Sequence, residues 1–379
     1  MTSWLARWRD EVGETYLLGM ARAGLGLLFC LDTLQALRER SRHGHFADTF
    51  FLTSVPSSLV PSSSADAILL GVEMVCGLLA LVGWMAQPAL LLASLLGVFS
   101  LLANRLEFHN NRYALCCYCF LVALAPCDRS FSLRSRRLQP PGAPGPLWAQ
   151  RMTQLQVSLV YLASGGSKLL DPDWRSGIVL GDRWARIAAR DHLAINAHLA
   201  PALRQLLTFV ARPLVASTVS KLAIATELSL VVGLWLPRTR VVALWVGLWL
   251  HLGIEVAADV QLFSWITLTV YLLFVTPTTG TRQLYFEPTA DGSRPRSARL
   301  VAALDWFARW TIAPRPDSIA PPSPGSSLVV VDRDGAVGRG RDVTVALFRT
   351  LPALFALWLP VAAAARVLGR REPAVTPSA

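Results

Sequence analysis

The chain has 379 residues, of which 53% are hydrophobic and only 16% are charged, and its mean hydropathy is +0.43. A soluble domain carries roughly 25% charged residues, so this balance indicates a lipid environment and argues against a water-soluble globular protein. The net charge of +11 lies between apolar runs, as is typical of membrane proteins, so we expect the lipid bilayer as a partner and no nucleic acid.

Eight apolar stretches have about the length of a membrane-spanning helix, which is roughly 17–25 residues. In chain order they cover 16–37, 65–85, 87–104, 111–126, 153–170, 217–236, 240–258 and 260–276. The breaks between them are rich in proline and serine, as in FLTSVPSSLVPSSS at 51–64, and such residues end helices. The predicted fold class is an all-α, polytopic integral membrane helix bundle of about eight transmembrane helices, with a small cytoplasmic C-terminal tail.

Arginines in the short loops predict how the bundle is oriented. Four of them lie in the loop 127–150, and the turn between the sixth and seventh stretches carries Arg238 and Arg240. Both loops face the cytoplasm if the N terminus does, and the tail after residue 277 is then cytoplasmic too. The segment 171–216 would lie outside, where its pattern predicts amphipathic helices on the membrane surface.

The character of the sequence changes after the last apolar stretch. We predict a transmembrane domain over 1–276, a linker rich in Pro, Ser and Arg with one helix over 277–326, and a small unit over 327–379. Within that unit SLVVVDRDGAVGRG predicts a strand, a turn and a second strand. The apolar segment 343–365, interrupted by Arg349 and two prolines, is either a ninth span or a pair of short helices, and we favour the pair.

The six cysteines lie in or beside apolar segments. Cys116 and Cys119 form a C-x-x-C, but no second pair and no histidine stands at metal-binding spacing. We therefore predict packed intramembrane thiols and no metal site.

Ionisable side chains at membrane depth are energetically expensive, so each one is a functional candidate. His251 and Glu255 are four residues apart and share one helix face, with Asp259 one turn further along. With the orientation above, seven candidates fall in the outer half of the bilayer and predict a polar pocket that opens outward. They are Asp32, Glu73, His109, Lys168, His251, Glu255 and Asp259.

Structural alternatives stand beside these candidates. Asp32 and Glu73 would pair with arginines such as Arg22 or Arg105 to hold the bundle, and His109 would cap a helix. Lys221 and Glu227 on the sixth stretch are interpreted as anchors at the interface or to another helix. Lys168, one of only two lysines in the chain, either extends toward water or acts as a base, because a buried ammonium can lose its proton whereas a guanidinium cannot.

Three motifs resemble those of the HTTM family, which is related to the membrane domain of vitamin K-dependent γ-glutamyl carboxylase. They are YLASGGSKLLDPDWRSG at 161–177, HNNRYAL at 109–115 and HLGIEVAADVQLFSW at 251–265. The opening ARAGLGLLFCLDTL adds to the resemblance, which covers about 14–277.

The resemblance implies that Lys168 is the base that deprotonates a reduced quinone, such as vitamin K hydroquinone or menaquinol. In the carboxylase the quinol then reacts with oxygen to form a strong base, which takes a γ-proton from a peptide glutamate, and the carbanion adds carbon dioxide. His109 matches a carboxylase histidine approximately. The outward-facing pocket would also include His251, Glu255, Asp259, Trp174, Asp32 and Glu73.

The chain departs from the carboxylase after residue 277. The tail after residue 277 is short and, by the orientation above, cytoplasmic. We therefore expect no large lumenal domain that binds a substrate. Residues 327–371 are similar to the C-terminal half of the DCC-type thiol-disulfide oxidoreductase-like domain, but no cysteine follows Cys127, so no thiol chemistry is expected there.

Two functions from different classes follow for a protein of the bacterial cytoplasmic membrane. The first is a quinol-dependent, carboxylase-like enzyme acting on a secreted peptide or protein. The second is a non-catalytic membrane protein that binds a partner in peptide or toxin maturation, immunity or export. A quinone-sized cavity at the outer ends of the third, fifth and seventh helices would favour the first, and a closed site with Lys168 paired to Asp171 or Asp173 would favour the second.

Overall fold

The computed structural model describes residues 11–44, 50–134, 144–189, 200–258, 262–275, 282–289, 292–319, 321–322, 327–332 and 335–369. It divides into two compact units, Met1–Val275 and Thr276–Ala379.

Helices occupy all eight apolar stretches of the first unit. Among the short elements, strand β1 is Val12–Glu14, strand β2 is Pro144–Pro146, and Leu272–Phe274 forms a 3-10 turn after the last helix. The helices are α1 (Tyr16–His43), α2 (Ser63–Val82), α3 (Ala86–Ala103), α4 (Asn110–Ala123), α5 (Trp148–Leu170), α6 (Pro172–Ser176), α7 (Ile178–Ala188), α8 (Ala200–Val210), α9 (Pro213–Gly233), α10 (Arg240–Ala258) and α11 (Phe263–Tyr271).

This unit confirms the prediction of an all-α, polytopic membrane bundle. Among the described residues, four helices are both long and apolar enough to cross a bilayer, namely α1, α2, α3 and α9. Helices α4 and α11 are shorter, with 14 and 9 residues. Helices α7 and α8 bear out the amphipathic pattern, because they bury Trp184, Ile187 and Leu207 against the start of α9.

The core is made by close approach of apolar helix faces. Phe29, Leu90, Leu115 and Ile266 are almost wholly buried, and the six cysteines form no disulfide, as packed thiols would. Helices α1 and α2 touch so closely that a side-chain carbon at Gly26 would lie 2.6 Å from the backbone of α2. Small residues permit this kind of contact between membrane helices.

Backbone contacts fix which helix ends lie together. Strand β1 pairs antiparallel with β2, so α1 and α5 begin at the same end of the bundle, the first end. At the second end, Ser54 in the loop after α1 donates its backbone N–H to Leu102 near the end of α3, at 2.8 Å. Helices α1, α3 and α5 therefore finish at the second end, where α4 begins.

The second unit is a four-stranded sheet with helices. Its elements are β3 (Arg282–Phe286), α12 (Arg296–Leu304), β4 (Trp310–Pro314), β5 (Leu328–Val331), β6 (Val337–Arg339), α13 (Arg341–Thr350) and α14 (Trp358–Gly369). The strand order is β4-β3-β5-β6, with β3 and β4 parallel and the other pairs antiparallel. Leu284, Phe286 and Val330 are central to its core.

The structure differs from the predicted organisation of this region in one respect. Residues 282–314, within the segment predicted as a linker with one helix, supply β3, α12 and β4. Strands of five residues among arginines and prolines carry little pattern of their own and are stabilised by distant partners. Strands β5 and β6 pair antiparallel, as predicted for the two strands of this segment, and residues 333 and 334 between them lie outside the described residues.

The apolar end forms α13 and a second helical segment, Pro352–Leu368, at an angle of 114° to it. The two segments together are long and apolar enough for one broken span, so the ninth span and the helix pair both stay open. Val343 of α13 packs into the core of the sheet.

Candidate functional site

Five of the eight predicted site residues belong to two polar clusters toward the second end of the bundle. The lysine cluster consists of Tyr161, Ser164, Lys168, Trp174, Glu227, His251 and Tyr271. The arginine cluster consists of Asp32, Arg40, Asp66, Glu73, Glu107 and Arg112. Helix α4 contributes to both sites, through Arg112 in its first turn and through Tyr118 beside the lysine cluster.

Lys168 is held by an ion pair with a neighbouring helix. Its Nζ donates to Oε1 of Glu227 at 2.5 Å and to Oγ of Ser164 at 2.8 Å. The side chains of Lys168 and Glu227 are 18% and 6% exposed, so the pair is largely shielded from solvent. The expected alternatives at the rim, Asp171 and Asp173, are therefore not its partner. Glu227, interpreted from the sequence as an anchor, is the residue that the sequence reasoning missed.

The motif around Lys168 folds to place a ring over the amine. Helix α5 ends at Leu170, and Asp171 caps α6 by accepting the backbone N–H of Asp173 at 2.8 Å. Helix α6 then turns Trp174 back, so that its ring centroid lies 5.1 Å from Nζ of Lys168. Ser220 of α9 donates to the carbonyl oxygen of Trp174 and fixes this turn.

A glycine lets α9 come close enough to form the pair. A side-chain carbon at Gly165 would lie 3.0 Å from Leu228 and 3.2 Å from Cβ of Glu227, tighter than ordinary contact. Gly166, the next residue, has nothing within 4 Å of the same position. Gly165, which lies about one helical turn before Lys168, is therefore the residue of α5 that packs against Glu227.

His251 is buried in an aromatic and hydroxyl-rich setting. It is 1% exposed, and its Nε2 lies 2.7 Å from the hydroxyl of Tyr161, which is also hydrogen-bonded to the hydroxyl of Tyr271. The ring of Phe263 lies 5.6 Å from the imidazole, centroid to centroid. These contacts fix the plane of the imidazole. Its other nitrogen, Nδ1, takes no part in them.

Between these groups lies a chamber of about 10 Å³, lined by Tyr118, Val157, Val160, Tyr161, Ser164, Glu227, His251, Phe263 and Thr267. A volume of roughly 10–15 Å³ holds one water molecule. Two buried atoms of its lining, Oε2 of Glu227 and Nδ1 of His251, have no hydrogen-bond partner among the described residues. Buried polar atoms without partners are rare in folded proteins, so the chamber is suited to a small polar group.

Glu255 lies one turn beyond His251 on α10. Its Oε1 accepts a hydrogen bond from Nε1 of Trp265 at 3.2 Å, and its Oε2 is buried without a partner among the described residues. Glu255 does not line the chamber. Asp259, the remaining predicted acid of this helix, lies outside the described residues.

Asp32 and Glu73 belong to the arginine cluster and share one cation. Arg112 donates to Oδ2 of Asp32 at 2.5 Å and to Oε2 of Glu73 at 2.7 Å. The expectation of a bundle-holding arginine is thus confirmed, but neither Arg22 nor Arg105 is the partner. Arg22 is at the first end, where it donates to the carbonyl oxygens of Ala80 and Leu81. The helical register of HNNRYAL turns Arg112, in the first turn of α4, into the bundle.

The outer part of the arginine cluster closes the second end. Arg40 donates to Oδ2 of Asp66 at 3.1 Å and to both carboxylate oxygens of Glu107. A cavity of about 60 Å³ lies here, and its lining includes His109 and Arg112. His109 is exposed at the N-cap of α4 and makes no side-chain capping hydrogen bond. It lines this cavity and not the chamber beside Lys168, so the structure does not bring the two predicted catalytic residues together.

Comparison with known proteins agrees with the fold and the motifs. The sequence model of the HTTM domain matches residues 13–278, which is most of the chain. No curated protein and no solved structure matches the chain significantly. The chain belongs to the HTTM domain family.

Proposed function

We propose that the chain is a membrane enzyme that performs acid–base chemistry with Lys168 and Glu227 in the chamber at the second end of the bundle. The observation that carries the proposal is Oε2 of Glu227, a residue of the chamber lining: this atom is buried without a hydrogen-bond partner in the part of the chain that the structure describes, while Oε1 holds the ammonium of Lys168. A carboxylate with one oxygen on a cation and one facing a space of water size can exchange a proton with whatever occupies that space.

A purely structural ion pair would be built differently. Removing two charges from water is costly, and the cost is offset only when the remaining lone pairs and protons are hydrogen-bonded. The pair of Arg112 with Glu73 meets this condition, because Ser100 also donates to the second carboxylate oxygen, at 3.4 Å. The pair of Lys168 with Glu227 does not. A buried polar atom without a hydrogen-bond partner needs an explanation, and a catalytic role is one such explanation.

The other groups of the chamber hold the reacting atoms in place. Ser164 and Glu227 orient the ammonium, and the ring of Trp174 covers it. The hydrogen bond between Tyr161 and Nε2 of His251 fixes the imidazole, and Nδ1, which has no partner among the described residues, stays available to a hydroxyl-sized group. His251 is therefore a positioning residue for such a group, and Lys168 with Glu227 exchanges its proton.

The resemblance to the carboxylase implies a reduced quinone, such as vitamin K hydroquinone or menaquinol, as the cofactor. A quinone ring does not fit a chamber of about 10 Å³, which admits one hydroxyl-sized group. A quinol would keep its ring outside the chamber and present one hydroxyl to it. The proton chemistry rests on Lys168 and Glu227, and the substrate presents a single hydroxyl-sized group to them.

The same proposal places the chamber toward the outer face of a bacterial cytoplasmic membrane, with both termini cytoplasmic. The supporting observation is the arginines near the first end. Arg129 donates to the carbonyl oxygen of Pro144 at 2.7 Å, and Arg240 begins α10. Short loops rich in arginine stay in the cytoplasm. A secreted peptide or protein is then the class of substrate that reaches the second end.

The experiment uses the full chain in lipid nanodiscs with reduced menaquinone, oxygen, labelled bicarbonate and glutamate-containing peptides. We expect quinol oxidation or label incorporation that is lost in Lys168→Ala and Glu227→Gln. The matched control is Lys221→Ala, which changes the other lysine, an exposed residue of α9. Unchanged turnover in Lys168→Ala would contradict the assigned role.

The closed chamber favours a second candidate, a non-catalytic membrane protein that binds a partner. In that case Lys168 and Glu227 only join α5 to α9, as polar groups do between membrane helices. A double variant, Lys168→Met with Glu227→Leu, separates the two. Replacing a buried ion pair by apolar residues is often neutral for stability, so both accounts expect a stable double variant. The catalytic account expects turnover in the wild type that this variant lacks, and the non-catalytic account expects turnover in neither.

A further inference from the structure

The second unit contains a large open cleft that the chamber chemistry does not involve. It lies between α13 and α14, beside the start of β3 and the end of β5, and has a volume of about 800 Å³. This C-terminal cleft is lined by Arg282, Asp332, Arg341, Asp342, Val345, Ala346, Arg349, Thr350, Trp358, Leu359, Ala362, Ala363, Ala365 and Arg366. Its size suits a small ligand or the headgroup of a larger one.

The charge of the cleft favours an anion. Four arginines and two aspartates line it, which leaves an excess of two positive charges. Asp332 accepts a hydrogen bond from Arg282 at 3.0 Å, so it is already neutralised within the protein. The guanidinium of Arg349 lies 5.8 Å from the ring centroid of Trp358, which holds it against the wall. Arginine is the residue best suited to a phosphate group, because its donors match two phosphate oxygens at once.

An unpaired donor in the cleft points to a ligand independently of charge. Trp358 is only 8% exposed, and its Nε1 is buried without a hydrogen-bond partner among the described residues. Trp310 in the same unit shows the usual arrangement, since its Nε1 donates to Thr350 at 2.9 Å. A buried indole N–H normally has an acceptor, so a ligand oxygen at this position would complete the site.

The rest of the cleft wall is apolar. Val345 and Ala346 of α13 and Leu359 and Ala362 of α14 belong to this wall. Three large apolar side chains of the same region are about half exposed, namely Leu357, Val367 and Leu368. A cationic site with an apolar wall and an exposed apolar rim fits a ligand with an anionic head and a hydrocarbon tail.

We propose that the C-terminal cleft binds the headgroup of an anionic phospholipid from the membrane that holds the first unit. The phosphate lies between Arg349 and Arg366, an oxygen of the lipid accepts the N–H of Trp358, and the first carbons of the acyl chain follow the wall of α14. A soluble phosphate ester offers the same oxygens, but it leaves the apolar wall and rim uncovered.

The test uses the full chain in nanodiscs that contain a photoactivatable phosphatidylglycerol in a phosphatidylcholine background. Crosslinked peptides are identified by mass spectrometry, and crosslinks to the helices of the first unit serve as an internal reference. We expect strong crosslinking to residues 350–366 and, in Arg349→Gln with Arg366→Gln, a fall of roughly tenfold at that peptide alone. The matched control is Arg296→Gln with Arg299→Gln, which removes the same charge from exposed positions of α12 outside the cleft.

A second variant, Trp358→Phe, keeps the ring and removes only the N–H donor. We expect it to lower crosslinking to the same peptide by a few-fold, as the loss of one hydrogen bond does. An equal fall in the α12 control, equal crosslinking by a photoactivatable phosphatidylcholine, or full displacement by soluble glycerol phosphate would each overturn the lipid site.

Discussion

The lysine and arginine clusters use buried charge in opposite ways. In the arginine cluster, Arg112 holds Asp32 and Glu73, and Ser100 donates to the second oxygen of Glu73. In the lysine cluster, Lys168 holds one oxygen of Glu227, and the other oxygen has no hydrogen-bond partner among the described residues, although Glu227 lines a chamber of water size. Both ion pairs are buried, so burial alone does not separate them, whereas the completeness of their hydrogen bonding does. The proposed function rests on that difference.

The largest expected effect comes from breaking the complete cluster. Arg112→Met would leave two buried carboxylates without their cation, and we expect a loss of about 3–5 kcal/mol in the free energy of unfolding. Thermal unfolding of the detergent-solubilised chain measures it. The control, Arg105→Met, removes an exposed arginine near the same helix end and should change stability by less than about 0.5 kcal/mol. Equal effects of the two variants would show that Arg112 has no special structural role.

A smaller effect is expected from closing the space between α5 and α9. Gly165→Val would force Leu228 and Glu227 away, and we expect a destabilisation of about 1–3 kcal/mol from overpacking. Gly166→Val is the matched control, because nothing lies within 4 Å of a side-chain carbon there. The same melting experiment compares them. If the two valines cost the same stability, the close approach of α9 at Gly165 is not as described.

The smallest stability effect concerns the hydroxyl that links His251 to Tyr271. Tyr161→Phe removes that link and should cost about 1–2 kcal/mol, since both partners stay buried. In the enzyme account, turnover should also fall at temperatures where the variant is still folded, because His251 loses its fixed orientation. Turnover equal to that of the wild type would remove His251 from the proposed mechanism.

Much of the bundle follows from the sequence, because apolar length and helix breakers are local signals. The eight stretches correspond to helices, and Lys168 with Trp174 is brought together by one continuous motif. Partners from distant segments were harder to predict. Glu227 lies 59 residues from Lys168, and a single acid on an apolar helix does not show which helix it faces.

The same limit explains His109 and the C-terminal strands. His109 and Lys168 both lie near the second end, but the turn that starts α4 directs Arg112, not His109, into the bundle. Strand β3 is stabilised by pairing with β4 and β5. Its five residues alone have no clear strand pattern, so the sequence predicted a linker there. The sequence predicted the positions of the charged residues and the ends of the helices. The pairs of side chains that meet across the bundle became clear only from the structure.

The central claim is that Glu227 of the chamber holds the amine of Lys168 in a shielded ion pair, and the lysine content of the chain allows a direct test. Lys168 and Lys221 are its only lysines, so reductive methylation with labelled formaldehyde, followed by mass spectrometry, reports each amine separately. In the full chain in nanodiscs, we expect exposed Lys221 to react fast and Lys168 slowly, and Glu227→Gln to raise the rate at Lys168 alone. Equal rates for the two lysines in the wild-type protein, or no response of Lys168 to Glu227→Gln, would contradict the claim.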